Sequence, residues 1–443
     1  MPRSLAVLLL ADAVPLGVLV MLVRVAGPVP AWDSIYAEDL SIFLVQALQH
    51  PWHLLVPAAG YLQLVPRLIA QFVVYLPLRD AAAAFAISGA LVTTGCALFI
   101  FHASAGHVRS AVLRVVLALA VVLLPVAPLE IADSGVNTPW YLLFALFWAA
   151  LWRPRTRGGM ALAALIGFLA GASTPLALAF APLLIVRIAA LRQLREHAVT
   201  AGLAAGLLLQ LPVIHAAHNS RTGQHASPRG VLSFVAHDVV LPALGWHLDW
   251  WLQAAVGRDG ATLLVGCVLA AVFGAIAMTA SARVRLVAAA ALGSGFLLAA
   301  AAATLSRWVT VDPVSFHFEP GSRYTTLPIF LMEAAVIVAV DNVIRRARER
   351  ARPDEQTAAF GESAWTGWAR ARGATAAAAA LVVALSFGWV TDFRSDNGRA
   401  GGTLWAPVAA DWLAYCQRHP DGAISTQPVD RTSVVIPCAN LRR

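Results

Sequence analysis

Apolar runs long enough to cross a bilayer recur along almost the whole chain, and this constrains the fold more than any motif. About 17–25 consecutive apolar residues span the hydrocarbon core of a membrane. Such runs lie near residues 5–24, 81–102, 111–129, 138–152, 199–217, 261–280, 284–304, 325–343 and 374–391. Residues 160–187 carry arginines on both flanks and are interrupted by GASTP, Gly171 to Pro175. They are expected to cross twice, as two short helices joined near Ser173–Pro175, because irregular backbone at membrane depth must be satisfied by protein or water. The expected fold is an all-α polytopic membrane protein of about eleven transmembrane helices. The first run is followed by no small-residue cleavage site and is read as a retained helix.

Charge orients these helices. The chain has 443 residues, 13% of them charged, and all 32 basic residues are arginine. A soluble domain carries about 25% charged residues. The arginines cluster after spans, at Arg153, Arg155 and Arg157, at Arg187, Arg192 and Arg195, and from Arg345 to Arg352. Cationic loops resist translocation, so the net charge of +8 is read as a cytoplasmic bias and not as a nucleic-acid surface. The expectation is a multi-pass protein of the plasma (inner) membrane with its N-terminus inside. Residues 25–80 form the first outer loop within a membrane domain of residues 1–391, and residues 392–443 form a small exported lobe. In that loop, residues 40–50 and 61–77 are interrupted by Pro51, Pro57, Pro66 and Arg67, and two amphipathic surface helices fit better than further spans. The segment Trp246–Gln253 has the aromatic character of an interfacial belt.

Cys96 and Cys267 fall inside spans, where cysteine behaves as a small apolar residue. Cys416 and Cys438 both fall in the exported tail, where an oxidising compartment permits a disulfide.

The first outer loop opens with AWDSIYAEDLSIF, and Asp33, Glu38 and Asp39 sit there within seven positions. Acids here can cap or favour the positive end of the following helix, Asp33 or Ser34 being the cap. They also suit general-base catalysis at the membrane surface, where a carboxylate takes the proton of an acceptor hydroxyl as a bond forms. Adjacent residues point roughly 100° apart on a helix, so one of Glu38 and Asp39 is expected to face a substrate. Arg67 and Arg323 lie outside, against the positive-inside trend. An arginine there snorkels, pairs with an acid, or holds a phosphate bidentately. Tyr324, His53, His237 and His317 are outer-face candidates for substrate contacts, and Glu130 and Asn137 are candidates to close the pocket. Glu333 lies within a span, where an acid is a functional candidate by default and is expected to pair with an arginine or a hydroxyl inside the bundle.

YAEDLSIF, followed by surface helices and many spans, resembles the first-loop arrangement of the GT-C glycosyltransferases. AAGYLQLVPRLIAQF (Ala58 to Phe72) resembles the GYLHLxPR segment of a bacterial subgroup of these proteins. EIADSGVNTPWYLL (Glu130 to Leu143) resembles its second outer loop, EPGSRYTTLP (Glu319 to Pro328) its late RY-P motif, and Trp405 with Cys416 and Cys438 its C-terminal lobe. The resemblance implies an integral membrane enzyme that takes sugars from polyprenyl-phosphate donors at the outer face, with Asp39 or Glu38 as the base. It implies a cell-envelope glycan, lipid or protein as acceptor. No cofactor is required, and nothing beyond the acid cluster suggests hard-cation ligands, so a metal is admitted without being implied.

HExxH, GxxxxGK[ST], GxGxxG before a helix, GxSxG and paired CxxC motifs do not occur, and no loop is large enough for a nucleotide-binding domain. The competing classes are a transporter or lipid flippase, favoured by the GASTP break and Glu333, and a non-catalytic envelope scaffold, which needs no acid cluster.

Overall fold

In a solvent that offers no hydrogen bonds, a single apolar segment can satisfy its backbone only as a helix, and the Ala-, Leu- and Val-rich runs do so. The computed structural model describes residues 3–191, 193–216, 227–305, 323–350, 362–394, 399, 402–426 and 434–441. Among them, six helices are long and apolar enough to cross a membrane: Leu78–Gly106, Ala111–Glu130, Ala198–His215, His247–Gly274, Ala282–Thr304 and Arg323–Ala347. Six of the expected eleven thus reach spanning length among the described residues, beside further helices such as Arg3–Arg24, Thr138–Leu151, Arg157–Ser173 and Glu362–Thr391. Thr138–Leu151 has 14 residues and is buried over most of its length, so it faces protein more than lipid.

The GASTP break falls as expected. The helix Arg157–Ser173 stops, Thr174 Oγ1 accepts from Leu176 N at 3.3 Å, and a 3-10 segment, Pro175–Phe180, leads into Ala181–Ala190. Its partner across the bundle is Ala198–Ala216. Gly167 and Gly171 on one helix face Gly202 and Gly206 on the other so closely that a Cβ on Gly202 would strike the Ala164 carbonyl. Small residues at four-residue spacing let two backbones meet inside a membrane, where the gain is packing and not water release.

The spans expected near 199–217 and 261–280 leave residues 218–260 as the connection between them. Where described, the chain is helical from Pro228, and the helix Trp246–Thr279 carries a kink at Gly257, whose φ is +73°. The span starts near His247 and not near 261 because the polar residues that interrupt the run find partners. His237 Nδ1 lies 2.6 Å from Asp249 on one side of the kink, and its Nε2 lies 2.9 Å from Thr262 Oγ1 on the other. Trp250 and Trp251 remain exposed, as an aromatic belt requires.

The two ends of the bundle differ. At one, the Arg109 and Ser110 amides donate to Asp341, and Arg187 Nη1 donates to the Ala150 carbonyl. At the other gather residues 25–80, the segment 124–137 and the C-terminal lobe. The lobe is not all-helical. The helix Trp405–Arg418 is followed by a two-stranded antiparallel sheet pairing Ala423 with Pro437 and Thr426 with Val434. A disulfide joins Cys416 to Cys438, Cα–Cα 5.1 Å. Asp33 Oδ1 accepts from Ala406 N at 2.8 Å, and Trp405 Nε1 donates to the Leu78 carbonyl at 2.7 Å. Asp33 therefore caps the lobe's helix and not the helix that follows it in sequence; Ser34 Oγ donates to the Pro30 carbonyl.

Candidate functional site

The acidic motif begins with a strained turn. Ala37 has φ +42°, a region that costs an L-residue roughly 1–2 kcal/mol, and Asp39–Leu44 then forms a wide π-helical segment. This geometry sends the two neighbouring acids to different places. Asp39 goes inward and is 1% exposed. Its Oδ2 accepts from Ser134 Oγ at 2.8 Å and Gly135 N at 3.0 Å, and its Oδ1 from Val136 N at 2.8 Å. Such close approach depends on two glycines: a Cβ on Gly135 would sit 3.0 Å from Asp39 Oδ1, and one on Gly89 would sit 2.8 Å from Ser134 N. Burial pushes the Asp39 carboxyl up to about 6, against the pull of Ser134, Arg399 and the Val136 and Gly135 amides.

Glu38 stays on the rim, with 27% of its side chain exposed, and meets Arg323 Nη1 at 3.2 Å. Arg323 Nε in turn meets Glu130 Oε1 at 3.3 Å, and the Arg323 backbone N donates to Glu130 Oε2 at 3.1 Å. One guanidinium thus bridges a buried and a half-exposed carboxylate brought together from three separate parts of the chain. Of the roles open to Arg323, pairing with an acid is the one seen here, with two carboxylates. Tyr324 packs edge-on against Trp140, ring centroids 5.6 Å apart. Asn137 is buried and donates through Nδ2 to the Glu130 carbonyl and to Ser134 Oγ, which makes it a brace of the 130–137 segment. His237 is also buried, in its contact with Asp249. His317 lies outside the described residues.

Arg67 stands apart from this cluster. It is 5% exposed, its Nη1 donates to Gln46 Oε1 at 2.9 Å, and its guanidinium lies 5.6 Å from the Phe43 ring centre. His53 is exposed and stacks on His50, centroids 5.5 Å apart. The GYLQLVPR stretch that carries Arg67 is pinned by Gln210, which accepts from Leu62 N at 2.8 Å and donates to the Leu62 carbonyl at 3.0 Å, and by Ser173 Oγ, which accepts from Val65 N. Glu333 is 4% exposed, and the partner expected for it is not present among the described residues.

Arg399 and Asp133 were not singled out in the sequence. Arg399 is 4% exposed and donates to the Ser34 and Asp133 carbonyls at 3.0 and 2.9 Å, so it pins the C-terminal segment to both acidic segments. It sits in a turn-rich stretch with no periodicity to mark it. Asp133 has φ +54°, and neither of its carboxylate oxygens has a hydrogen-bond partner among the described residues. Burial pushes its carboxyl up to about 7, with Arg399 and Arg24 pulling the other way.

This last feature has a measurable sign. Above the ordinary carboxylate range the unfolded chain ionises Asp133 while the folded protein still holds the proton, so wild-type stability falls as pH rises from about 4 to about 7. Asparagine tolerates positive φ and carries no charge. Asp133→Asn is expected to leave the unfolding midpoint unchanged near pH 4 and raise it at pH 8, by on the order of 2–4 kcal/mol at about 1.4 per pKa unit. Thermal unfolding at the two pH values measures this, and an equal offset at both would contradict it.

Among the described residues, no group of three His, Cys, Asp or Glu is placed to hold a metal ion. Compared with known proteins, the chain matches no family model, no curated protein and no solved structure.

Proposed function

We propose that this protein is a membrane glycosyltransferase that moves a sugar from a polyprenyl-phosphate donor to a hydroxyl of a cell-envelope acceptor. The observation that carries this reading is the Glu38–Arg323–Glu130 cluster: a half-exposed carboxylate held by a guanidinium at the end of an apolar bundle. The acceptor oxygen attacks the anomeric carbon, the bond from that carbon to the phosphate oxygen breaks, and Glu38 takes the acceptor's proton, inverting the configuration. Polyprenyl phosphate leaves, and Arg323 offsets the charge that grows on it. A phosphate beside Arg323 also draws Nη1 away from Glu38 and uncovers the base, so the two carboxylates keep the cation poised instead of cancelling its use. Asp39 acts through the backbone, as the latch that holds residues 134–136 against the motif.

In this reading the helices Arg3–Arg24, Thr138–Leu151, Arg157–Ser173, Pro175–Ala190 and Glu362–Thr391 complete eleven passes with the six long spans. The acidic end and the C-terminal lobe face outward. A disulfide in that lobe agrees with an oxidising side.

The test is sugar transfer from radiolabelled polyprenyl-phosphate sugars in membranes over-expressing the protein, measured against membranes without it. Donor-dependent labelling of an envelope fraction is the expected result. A transporter is favoured by one observation, the unpartnered Glu333 within a span. Labelled lipid crossing sealed vesicles, with no transfer, would replace the transferase by that reading.

A further inference from the structure

The surface helix Leu64–Val73 buries a cation that no acid among the described residues answers. Arg67 Nε and Nη2 make no hydrogen bond among the described residues, and neither does the Nε2 of Gln71, one turn further along the same helix. The Gln71 Oε1 is used, accepting from Trp52 N at 2.6 Å. These donors line a small cleft with Gln46, His50 and His53, and none of the residues lining it is a carboxylate. Burial lowers the Arg67 guanidinium to about 10, which leaves it charged at neutral pH. Unmet buried donors are costly, most of all on a charged group. An oxyanion is the partner such donors suit, and bidentate binding is what a guanidinium offers it.

The flank of this helix next to Arg67 and Gln71, about 100° round, is exposed and apolar. Leu68 is 39%, Phe72 59% and Tyr75 64% exposed, and Trp52, 61% exposed, donates through Nε1 to the Tyr75 hydroxyl at 3.0 Å. Trp52 and Tyr75 flank this helix in the neighbouring turns, and exposed Trp and Tyr beside an amphipathic helix mark the headgroup level of a bilayer. The helix is also tethered there, lying between Arg3–Arg24 and the long span that begins at Leu78.

The geometry points to a lipid-phosphate site in this cleft, separate from the Glu38–Arg323 cluster: Arg67 and Gln71 hold the phosphate of a membrane lipid whose chains lie along Leu68, Phe72 and Tyr75. It does not rest on the transferase reading. The chemistry recognised is a phosphate oxyanion, and the apolar face selects a lipid as its source over free phosphate.

The experiment uses the full chain in detergent micelles and follows thermal unfolding while phosphatidylglycerol or inorganic phosphate is added. Phosphatidylglycerol is expected to raise the wild-type midpoint by roughly 5–10 °C at saturation, and inorganic phosphate by far less. Arg67→Gln is expected to abolish both responses. Phe72→Asn, at an exposed position, is expected to weaken the lipid response at least about tenfold and leave the phosphate response unchanged. Equal responses of wild type and Arg67→Gln to both ligands would overturn the site. A phosphate response as strong as that to lipid, unaffected by Phe72→Asn, would overturn the lipid assignment and leave a soluble-anion site. If Arg67→Gln does not fold, Phe72→Asn decides alone, and an undiminished lipid response in it overturns the proposal.

Discussion

Replacing Glu38 by Gln is expected to lower sugar transfer roughly 10²- to 10⁴-fold, the usual contribution of a general base, while the protein keeps its fold. Gln preserves the side chain's length and still offers Arg323 Nη1 an oxygen, so the bridge to Glu130 survives. Glu38 lies on the rim, and a partly exposed ion pair contributes about 1 kcal/mol or less to stability. Activity and unfolding midpoint should therefore separate: a collapse in rate with a midpoint shift of no more than a few degrees. Michaelis constants sharpen the test, since loss of a base lowers kcat and leaves donor KM near its wild-type value. Transfer within twofold of wild type would remove Glu38 from the chemistry.

Asp39→Ala should do the reverse first, and unfold the site. The substitution removes the acceptor for two backbone amides and a hydroxyl in a place water does not reach. Ser134 can turn its hydroxyl elsewhere; Gly135 N and Val136 N cannot. Each orphaned buried donor costs about 1–3 kcal/mol, so a loss of roughly 3–5 kcal/mol is expected, with transfer lost as a consequence. Asp39→Asn is intermediate, because its amide oxygen still accepts while its NH₂ is turned toward another donor. In the wild type the pH trend has the same sign as that of Asp133. With a folded value of about 6 against an ordinary 3.8, ionising Asp39 costs stability between those two pH values. The Ala variant lacks that slope. If Asp39→Asn abolished transfer with an unchanged midpoint while Glu38→Gln stayed active, Asp39 would be the base and the roles assigned here would be exchanged.

Much of this architecture is legible in the residues alone, and the parts that are not share one cause. Run length and the arginine clusters foretell the long spans, and Pro66 with Arg67 foretells a surface helix where a span would otherwise be drawn. The GASTP break falls where two arginine-flanked halves demand it. Glu38, Glu130 and Arg323 could each be named as candidates because acids, and arginines at the unexpected end, are scarce in such a chain. Their meeting could not be read, since it depends on contacts across 193 and 285 residues. Which of two adjacent acids turns inward depends on the positive φ of Ala37 and the wide turn after it. Neither has a signature in YAEDL. The start of the span at His247 was missed for a related reason: Asp249 reads as a loop residue until His237 arrives to pair with it.

The Arg399 pin and the Ala406–Asp33 cap have a consequence for biosynthesis. The contacts that close the acidic end join residues 365 and 373 positions apart. Translation at about 5–20 residues per second leaves the Ser34 and Asp33 segments waiting roughly 20–75 s before their partners leave the ribosome. During that interval the acidic motif has neither its cap nor its pin. The newborn protein is therefore inserted long before it is competent. A ribosome that stops short of Arg399 leaves a bundle whose spans are in place and whose working end never closes.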